Sequence, residues 1–429
     1  MNYFRHLIES KGAINLIGRM FMLLERFGMS HRRSIQAMRQ IVEVSGRYGC
    51  KPSFFITADL LDHHKCLVDL ISTHEIDLCL HGYHHIDHAL LSRRDQTEEI
   101  RRGVEEFRRL GIRIGGFRAP FLRFNDDTPK AVVDSDLVWV SNTCMLSREE
   151  SCSSLVNGSD SARNLLEGFY TGKRHSEEPS IPFLRCGCVD IPVSLPDDEM
   201  LIDRIKIQNS AKLAHIWLDM LDGAHRDGEL FNFIFHPERV PYVSEPLEKL
   251  LQRARSHGNV WIASLDDIGK WWKKRAAFEF RSIVENCGKY TVETNITDDH
   301  CLVLQHPDGR MEFPEHDGNG TFVVQAPLRP VIGVSQDCSP ETVLCLKKEG
   351  FPVESCADPY MVASVLNGFH PRDLSHRGLL NVVGQASGPV LRFWRWPGRY
   401  RSALAISVDV DAITLFDFVR RVYWFLKYR

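Results

Sequence analysis

Four histidines stand close together in the segment 81–88, at the end of an alternating apolar stretch. His81 and His85 are separated by three residues, and His84 and His88 repeat that spacing. Imidazole is the commonest transition-metal ligand in proteins, and it binds zinc through a neutral ring nitrogen. The segment therefore indicates a metal site, although the spacing alone selects neither pair, and a histidine-rich surface loop would look the same.

The histidines follow a predicted strand. Residues 75–80 alternate polar and apolar side chains, as a half-buried strand does. Three further predicted strands also end in side chains suited to catalysis, namely Arg118, His236, and the pair Asp409 and Asp411. Open α/β sheets and α/β barrels place their chemistry at the C-terminal ends of strands. We therefore expect these groups to meet at one edge of a sheet.

Two carboxylates and two imidazoles can supply a catalytic zinc site with three protein ligands, a position for water and a spare carboxylate. The spare carboxylate could accept the water's proton, a distant histidine could protonate the leaving group, and an arginine would keep the base ionised. Each residue also has a structural interpretation. Asp409 and Asp411 could cap the helix that follows them. Arg118 could lie in a surface turn, and His236 could be structural. Their joint occurrence at strand ends favours catalysis.

Strands alternate with helices over more than two hundred residues, which predicts an α/β barrel or a doubly wound sheet. The pattern also predicts two helices in residues 1–48 and a long loop over 146–180. Beyond about residue 277, short alternating segments are separated by Asp-Asp, Asp-Gly and Gly-Asn-Gly. They predict a small β-rich module, with short helices at 339–349 and 358–366.

The composition is ordinary for a soluble globular protein, with 25% charged and 43% hydrophobic residues. A formal net charge of -3 gives no sign of a nucleic-acid partner. The 12 cysteines include no Cys-x-x-Cys pair, which favours a reducing compartment. Charged residues interrupt the apolar N-terminal stretch, which argues against a signal peptide and a membrane span. We therefore expect a cytoplasmic protein, or one at the inner face of the membrane.

The motifs resemble the polysaccharide deacetylase (NodB-homology) domain of carbohydrate esterase family 4 over about residues 45–275. The family's H-x-x-x-H motif is similar to His81-Gly-Tyr-His-His85, and the strand before it resembles Lys51-Pro-Ser-Phe-Phe55. Its R-x-P motif resembles Arg118-Ala-Pro120, and its late strand-His motif resembles Ile234-Phe-His236. The matching segments follow one another in the family's order.

The resemblance implies an α/β fold of the deformed (β/α)7 barrel type that binds Zn²⁺ or another divalent metal. It selects His81 and His85 as metal ligands over His84 and His88. It implies Asp411 as the third ligand.

The resemblance also implies catalytic roles. Asp409 would be the base that activates water, Arg118 would hold that base, and His236 would be the general acid. A backbone N–H near Pro120, together with the metal, would stabilise the oxyanion. We expect substrate contacts from residues around the cleft, namely Tyr83, Pro120, Phe121 and Trp139.

One motif is out of place along the chain. The family begins with a strand that ends in Asp-x-Asp, whereas here the counterpart is Ala405-Ile-Ser-Val-Asp409-Val-Asp411, near the C-terminus. This order resembles a circular permutation. Residues 1–275 would then form a barrel that lacks its first strand, 276–395 a β-rich module and linker, and 396–429 the strand and helix that complete the barrel.

The alternative to a permutation is a truncated tandem array, whose tail belongs to a second, incomplete domain. In a permutation, the strand at 403–409 must lie between the strands at 53–57 and 260–263. A barrel without that strand would expose two edges, which is an aggregation hazard. Exchange of the tail between two chains would pair the same edges and produce a homodimer.

The resemblance implies a metal-dependent hydrolase that removes N-acetyl groups from a glycan or sugar-like substrate. One alternative is a hydrolase of C–N bonds in small cyclic amides, and another is a catalytically inactive module that binds glycans. The expected partners are a carbohydrate or small-molecule substrate, with no nucleic acid and no membrane span.

Overall fold

The computed structural model describes residues 23–24, 26–146, 172–296, 301–356, 358–368 and 375–428. Most of the first helix predicted within 1–48 and most of the predicted loop over 146–180 lie outside these residues. Within the described residues, no helix combines the length and the apolar character that crossing a membrane requires.

The helices of the described residues are numbered in chain order. They are α1 (Arg32–Arg47), α2 (Asp59–His63), α3 (Lys65–Thr73), α4 (Arg93–Arg109), α5 (Thr128–Val133), α6 (Ser210–Asp227), α7 (Val240–His257), α8 (Leu265–Arg275), α9 (Pro340–Lys348), α10 (His376–Val383) and α11 (Leu415–Lys427). Several begin at side-chain caps that the sequence supplies. Ser92 caps α4, Ser264 caps α8, and Thr414 forms a capping box with Asp417 at the start of α11.

The strands are short, and most belong to one large sheet or to smaller sheets formed by residues beyond Arg275. They are β1 (Ser53–Ile56), β2 (Asp77–Leu80), β3 (Gly116–Phe117), β4 (Trp139–Val140), β5 (Cys144–Leu146), β6 (Lys173–Arg174), β7 (Phe183–Arg185), β8 (Cys188–Asp190), β9 (Val193–Leu195), β10 (Leu230–Phe235), β11 (Val260–Ile262), β12 (Phe280–Asn286), β13 (Lys289–Thr294), β14 (Leu302–Gln305), β15 (Met311–Glu312), β16 (Glu315–His316), β17 (Thr321–Gln325), β18 (Arg329–Val334), β19 (Val353–Ser355), β20 (Val362–Leu366), β21 (Val390–Phe393) and β22 (Ser402–Val410).

The fold is mixed α/β, with a nine-stranded sheet curled into a half-barrel. The strand order is β10-β22-β1-β2-β3-β4-β8-β7, and β11 also pairs with β22. All pairs are parallel except β7 with β8. The late strand β22 therefore lies between β1 on one side and β10 and β11 on the other.

The main sheet has a hydrophobic core on each face. Successive side chains of a strand point to opposite faces. Phe54 and Leu80 accordingly belong to the cluster that contains α1, α6 and α7, whereas Phe55 and Cys79 belong to the cluster on the other face, with α8. Both faces are covered, so β10 is apolar except for Asn232, and all nine residues of β22 are buried.

Residues beyond α8 form further sheets. Two of them, β12-β13-β17-β16 and β15-β14-β21, are antiparallel, as the alternating pattern predicts. The third, β19-β18-β20, is parallel and packs with α9 and α10 around its own core. The helix predicted at 358–366 is wrong, because residues 362–366 form β20. Its buried apolar run pairs with β18, and such a short run does not distinguish a strand from a helix.

A buried carboxylate joins the segments that follow α8. Glu349 is 1% exposed, and it accepts hydrogen bonds from the guanidinium groups of Arg392 and Arg395. His376 Nε2 lies 2.8 Å from the same carboxylate. Burial opposes ionisation of Glu349, but Arg395, Arg392 and His376 hold its pKa well below the ordinary value.

The Arg/Trp-rich stretch around residues 392–401 packs against the protein itself. Arg395 donates to the carbonyl oxygens of Asp227 and Gly228, and Trp396 Nε1 donates to Gly228 O at 3.0 Å. Arg401 Nε donates to His225 O at 3.0 Å. These donors satisfy carbonyl groups at the end of α6, where helix carbonyls have no partner within the helix. The stretch therefore fixes the chain just before β22.

We expect Glu349→Gln to lower the free energy of unfolding by about 3–5 kcal/mol, because it leaves two buried guanidinium groups without a carboxylate. Glu354→Gln is the matched control. Glu354 pairs with Arg329 at a half-exposed position, so this change should cost below about 1 kcal/mol. Chemical denaturation of the two variants measures the difference. Equal destabilisation would show that the Glu349 cluster does not hold these segments together.

Candidate active site

One row of paired residues crosses four parallel strands of the main sheet. The row consists of Val410, Ile56, Leu80 and Phe117. Asp411, His81 and Arg118 each follow a member of this row directly in the chain. The register of the parallel strands therefore brings the three side chains to the same edge, as the positions of the polar residues at strand ends predict.

The same register places His236. Phe235 pairs with Val408, so His236 is level with Asp409 on the neighbouring strand β22. Both residues line an open cleft at the C-terminal edge of the sheet. The cleft is also lined by His81, His85, Asp411 and Phe121.

Asp409 is held by a buried arginine. Arg118 is fully buried, and its Nη1 donates to Asp409 Oδ1 at 2.6 Å. The remaining guanidinium donors reach Ser141 O and Oγ and Ser407 Oγ at 3.0–3.1 Å. The guanidinium carbon also lies 3.9 Å from the centre of the Phe55 ring. The charge of Arg118 is thus paired and hydrogen-bonded, as a buried cation requires.

His81, His85 and Asp411 bring three metal-type donor atoms within 4.8 Å of one another. The Nε2 atoms of His81 and His85 lie 3.2 and 3.3 Å from Asp411 Oδ1. His81 Nδ1 pairs at 2.9 Å with the backbone carbonyl of Arg118, which turns Nε2 toward Asp411. Burial, with Arg421 and His81, lowers the pKa of His85 to about 4, so its imidazole is neutral at pH 7.

These residues fit a divalent cation. Asp411 Oδ1 is buried and has no hydrogen-bond partner among the described residues, as a metal-facing oxygen would. Burial opposes ionisation of Asp411, but Arg421, His85 and His81 hold its pKa well below the ordinary value. Two imidazoles and one carboxylate form a donor set that catalytic zinc uses.

The other two histidines of the segment face elsewhere. The ring of His84 stacks on Trp424 at 3.8 Å between centroids. The ring of His88 is fully buried, 5.0 Å from that of Phe117, and burial lowers the pKa of His88 to about 3. Among the four histidines, His81 and His85 are therefore the pair that the fold brings to Asp411.

Three of the four expected substrate contacts lie away from the cleft lining. Tyr83 packs against the guanidinium of Arg102, with its hydroxyl 3.5 Å from Asp62 Oδ2. Trp139 is fully buried in the core, and its Nε1 donates to Asp266. Pro120 is buried at the start of the short 3₁₀ turn Pro120–Leu122.

Phe121 is the expected substrate contact that lines the cleft. Its ring lies 4.4 Å from that of His85 between centroids. Phe121 and Leu122 have φ angles of 62° and 54°, a left-handed conformation that is uncommon for residues other than glycine. Backbone strain of this kind is frequent in clefts that bind ligands.

Two adjacent carboxyl groups near the cleft had not been singled out in the sequence. Asp198 Oδ1 pairs with His236 Nδ1 at 2.6 Å, and Asp198 Oδ2 accepts the backbone N–H of His236. Burial alone would favour a neutral imidazole, but Asp198 raises the pKa of His236 well above its ordinary value. Asp197 lines the cleft, and burial together with Asp198 raises its pKa to about 7. In the sequence, the signal for these two residues is their position as an Asp-Asp pair shortly after a strand.

Helix α11 contributes a cation that sequence reasoning also missed. Arg421 Nη1 lies 2.6 Å from Asp411 Oδ2, and the guanidinium faces the ring of Phe121. Trp424 stacks on His84, and Phe425 packs against Phe121 at 5.5 Å between centroids. The helix that follows Asp411 therefore packs against the candidate metal ligands.

Comparison with known proteins agrees with the motif pattern. Residues 34–139 match the family model for polysaccharide deacetylase, which covers about a quarter of the chain. The matched range contains His81, His85 and Arg118, but neither His236 nor Asp409. No curated protein matches the chain. The family match supports a deacetylase-type hydrolase.

Several solved structures are similar at low identity. A protein of Mycobacterium smegmatis assigned to the polysaccharide deacetylases is 16% identical, with a TM-score of 0.43, over 62% of this chain and 84% of that one. A probable polysaccharide deacetylase of Pseudomonas aeruginosa is 17% identical, with a TM-score of 0.44, over 56% and 73%. The PuuE allantoinase is 15% identical, with a TM-score of 0.43, over 56% and 72%. Similarity at this level supports no conclusion about activity.

We expect Asp198→Asn to lower the pKa of His236 from above its ordinary value to below it. Burial and the nearby Arg239 would then act on the imidazole without the opposing carboxylate. His236 should accordingly be protonated at pH 7 in the parent protein and neutral in the variant. Titration of the imidazole by NMR measures this, with Asp219→Asn on the surface of α6 as control. An unchanged pKa would contradict the role of Asp198.

We expect Arg421→Gln to strengthen divalent-metal binding at His81, His85 and Asp411 roughly tenfold, or ~1.4 kcal/mol. A guanidinium so close to Asp411 repels a second cation, and the variant removes that repulsion. Arg420→Gln is the matched control, because Arg420 is the neighbouring residue but pairs with Asp59 at 3.3 Å. Calorimetric titration of metal-free protein compares the two. Equal affinities would show that Arg421 does not compete with the metal.

Proposed function

We propose that the chain is a metal-dependent hydrolase that removes N-acetyl groups from a glycan or sugar-like substrate. One observation carries the proposal. The triad His81, His85 and Asp411 adjoins a carboxylate paired with a buried arginine, and His236 lines the same cleft. The family match over residues 34–139 supports the same reaction class.

A divalent ion held by His81, His85 and Asp411 would polarise the amide carbonyl and lower the pKa of a bound water. Asp409 would accept a proton from water in the cleft, where Arg118 holds its carboxylate. His236 is kept protonated by Asp198 and is placed to donate its proton to the leaving nitrogen. Base and acid thus come from neighbouring strands at the same level of the sheet.

We also propose that the barrel is circularly permuted. The strand that carries Asp409 and Asp411 pairs with β1 and with β10 and β11, within the same chain. This placement between strands 53–56 and 260–262 is the one that a permutation requires, and it supports closure in cis. A truncated array would leave the Asp motif remote from His81.

We expect Asp409→Asn to lower kcat about 100-fold or more while leaving bound metal unchanged, because it removes the proton acceptor but no ligand. Asp411→Asn should lower both metal content and activity. Asp219→Asn serves as a surface control. Metal is measured by elemental analysis, and activity by acetate released from N-acetylglucosamine oligomers.

The same assay run on small cyclic amides tests the alternative substrate class. Ring opening of cyclic amides without acetate release would replace the deacetylase proposal with the amidohydrolase alternative. Folded, metal-loaded protein that acts on neither class would favour an inactive glycan-binding module. Equal metal content in the Asp411→Asn variant and the parent would remove Asp411 from the site and contradict the permuted arrangement.

A further inference from the structure

A second group of metal-type donors lies outside the candidate active site. His31 precedes α1, His64 lies between α2 and α3, and Cys66 is in the first turn of α3. One donor atom from each residue lies within 4.8 Å of the other two. None of these three residues lines the cleft at the sheet edge, which contains His81 and His85.

A carboxylate orients one of these histidines. His64 Nε2 lies 3.0 and 2.9 Å from the two carboxylate oxygens of Asp417. Asp417 contacts Nε2, so a metal ion would be bound through the other ring nitrogen, Nδ1. Metal-binding histidines almost always donate their other ring N–H to a carboxylate, carbonyl or water, which fixes the tautomer and raises the basicity of the ligand.

Asp417 in turn belongs to the start of α11. Its Oδ2 accepts hydrogen bonds from the backbone N–H of Thr414 at 2.8 Å and of Ile413 at 3.2 Å. His64 is therefore connected through one carboxylate to the helix that carries Arg421. A rigid His64 would hold the first turn of that helix against α2 and α3.

The types of ligand distinguish His31, His64 and Cys66 from another cluster of possible metal ligands in the protein. His175, Asp227 and Glu229 also lie within 4.8 Å of one another, but the guanidinium of Arg377 already contacts all three. That cluster is satisfied by a protein cation. Two imidazoles and a thiol are instead the soft and borderline ligands that zinc and cobalt(II) prefer.

We propose that His31, His64 and Cys66 form a second metal site, which takes zinc or a similar transition-metal ion, with solvent completing the coordination. Tetrahedral zinc places its donor atoms roughly 3.5 Å apart. The three donor atoms lie within 4.8 Å of one another before any ion is bound. The bound ion joins the starts of α1 and α3 and, through Asp417, fixes the start of α11 beside the candidate active site.

Cobalt(II) titration of the reduced, metal-free, full-length protein tests this site. A thiolate ligand gives cobalt a charge-transfer absorption in the near ultraviolet, which imidazole and carboxylate ligands do not give. We expect this band in the parent protein and its loss in Cys66→Ser. Cys356→Ser changes a partly exposed thiol directly after β19 and should keep the band.

Two further variants make the result independent of folding and of the proposed activity. His31→Gln changes an exposed side chain, and it should weaken cobalt binding at the thiolate site at least about tenfold. The His81→Gln, His85→Gln double variant should keep the thiolate band, whether or not the active site binds metal. Absence of the band in the folded parent protein, its persistence in Cys66→Ser, or unchanged affinity in His31→Gln would each overturn the proposal.

Discussion

The buried ion pair of Arg118 and Asp409 is the interaction on which the candidate site depends. It joins residues 291 positions apart in the chain. A fully buried guanidinium is tolerated only when its charge and its donors are satisfied, and Asp409, Ser407 and Ser141 supply what Arg118 needs. Asp409 and Ser407 belong to β22 and Ser141 follows β4, whereas Arg118 itself follows β3. The site can therefore form only when β22 has entered the sheet beside β1 and β10.

The segment between α8 and β22 has a structural part in that arrangement. It begins after α8 and returns the chain to the start of β22, at the far end of the strand from Asp409. Arg395 links Glu349 to the end of α6, and Trp396 donates to the same helix end. These contacts fix where β22 starts, and the strand register then fixes where Asp409 and Asp411 finish.

Helix α11 supplies charged and aromatic side chains that contact residues of the candidate site and its surroundings. Arg421 stabilises the ionised form of Asp411 in the absence of another cation, which offsets the cost of burying that carboxylate. Trp424 stacks on the ring of His84, which is not among the three donor residues. The same helix begins at a capping box whose carboxylate contacts His64. Its outer face leaves Phe416 and Tyr423 largely exposed.

Local periodicity in the sequence predicts much of the secondary structure. Strands, helices and the polar residues at strand ends can be recognised from residues that are close together in the chain. The strand that ends at Asp409 and the helix Leu415–Lys427 were predictable for this reason. The family resemblance selects His81 and His85 from the sequence, whereas the pairing of Asp198 with His236 and the contact of Arg421 with Asp411 depend on residues far apart in the chain. The strand at 362–366 and the burial of Trp139 likewise depend on non-local packing. Only the tertiary structure decided these features, since a sequence pattern shows which face is apolar but not which partner will cover it.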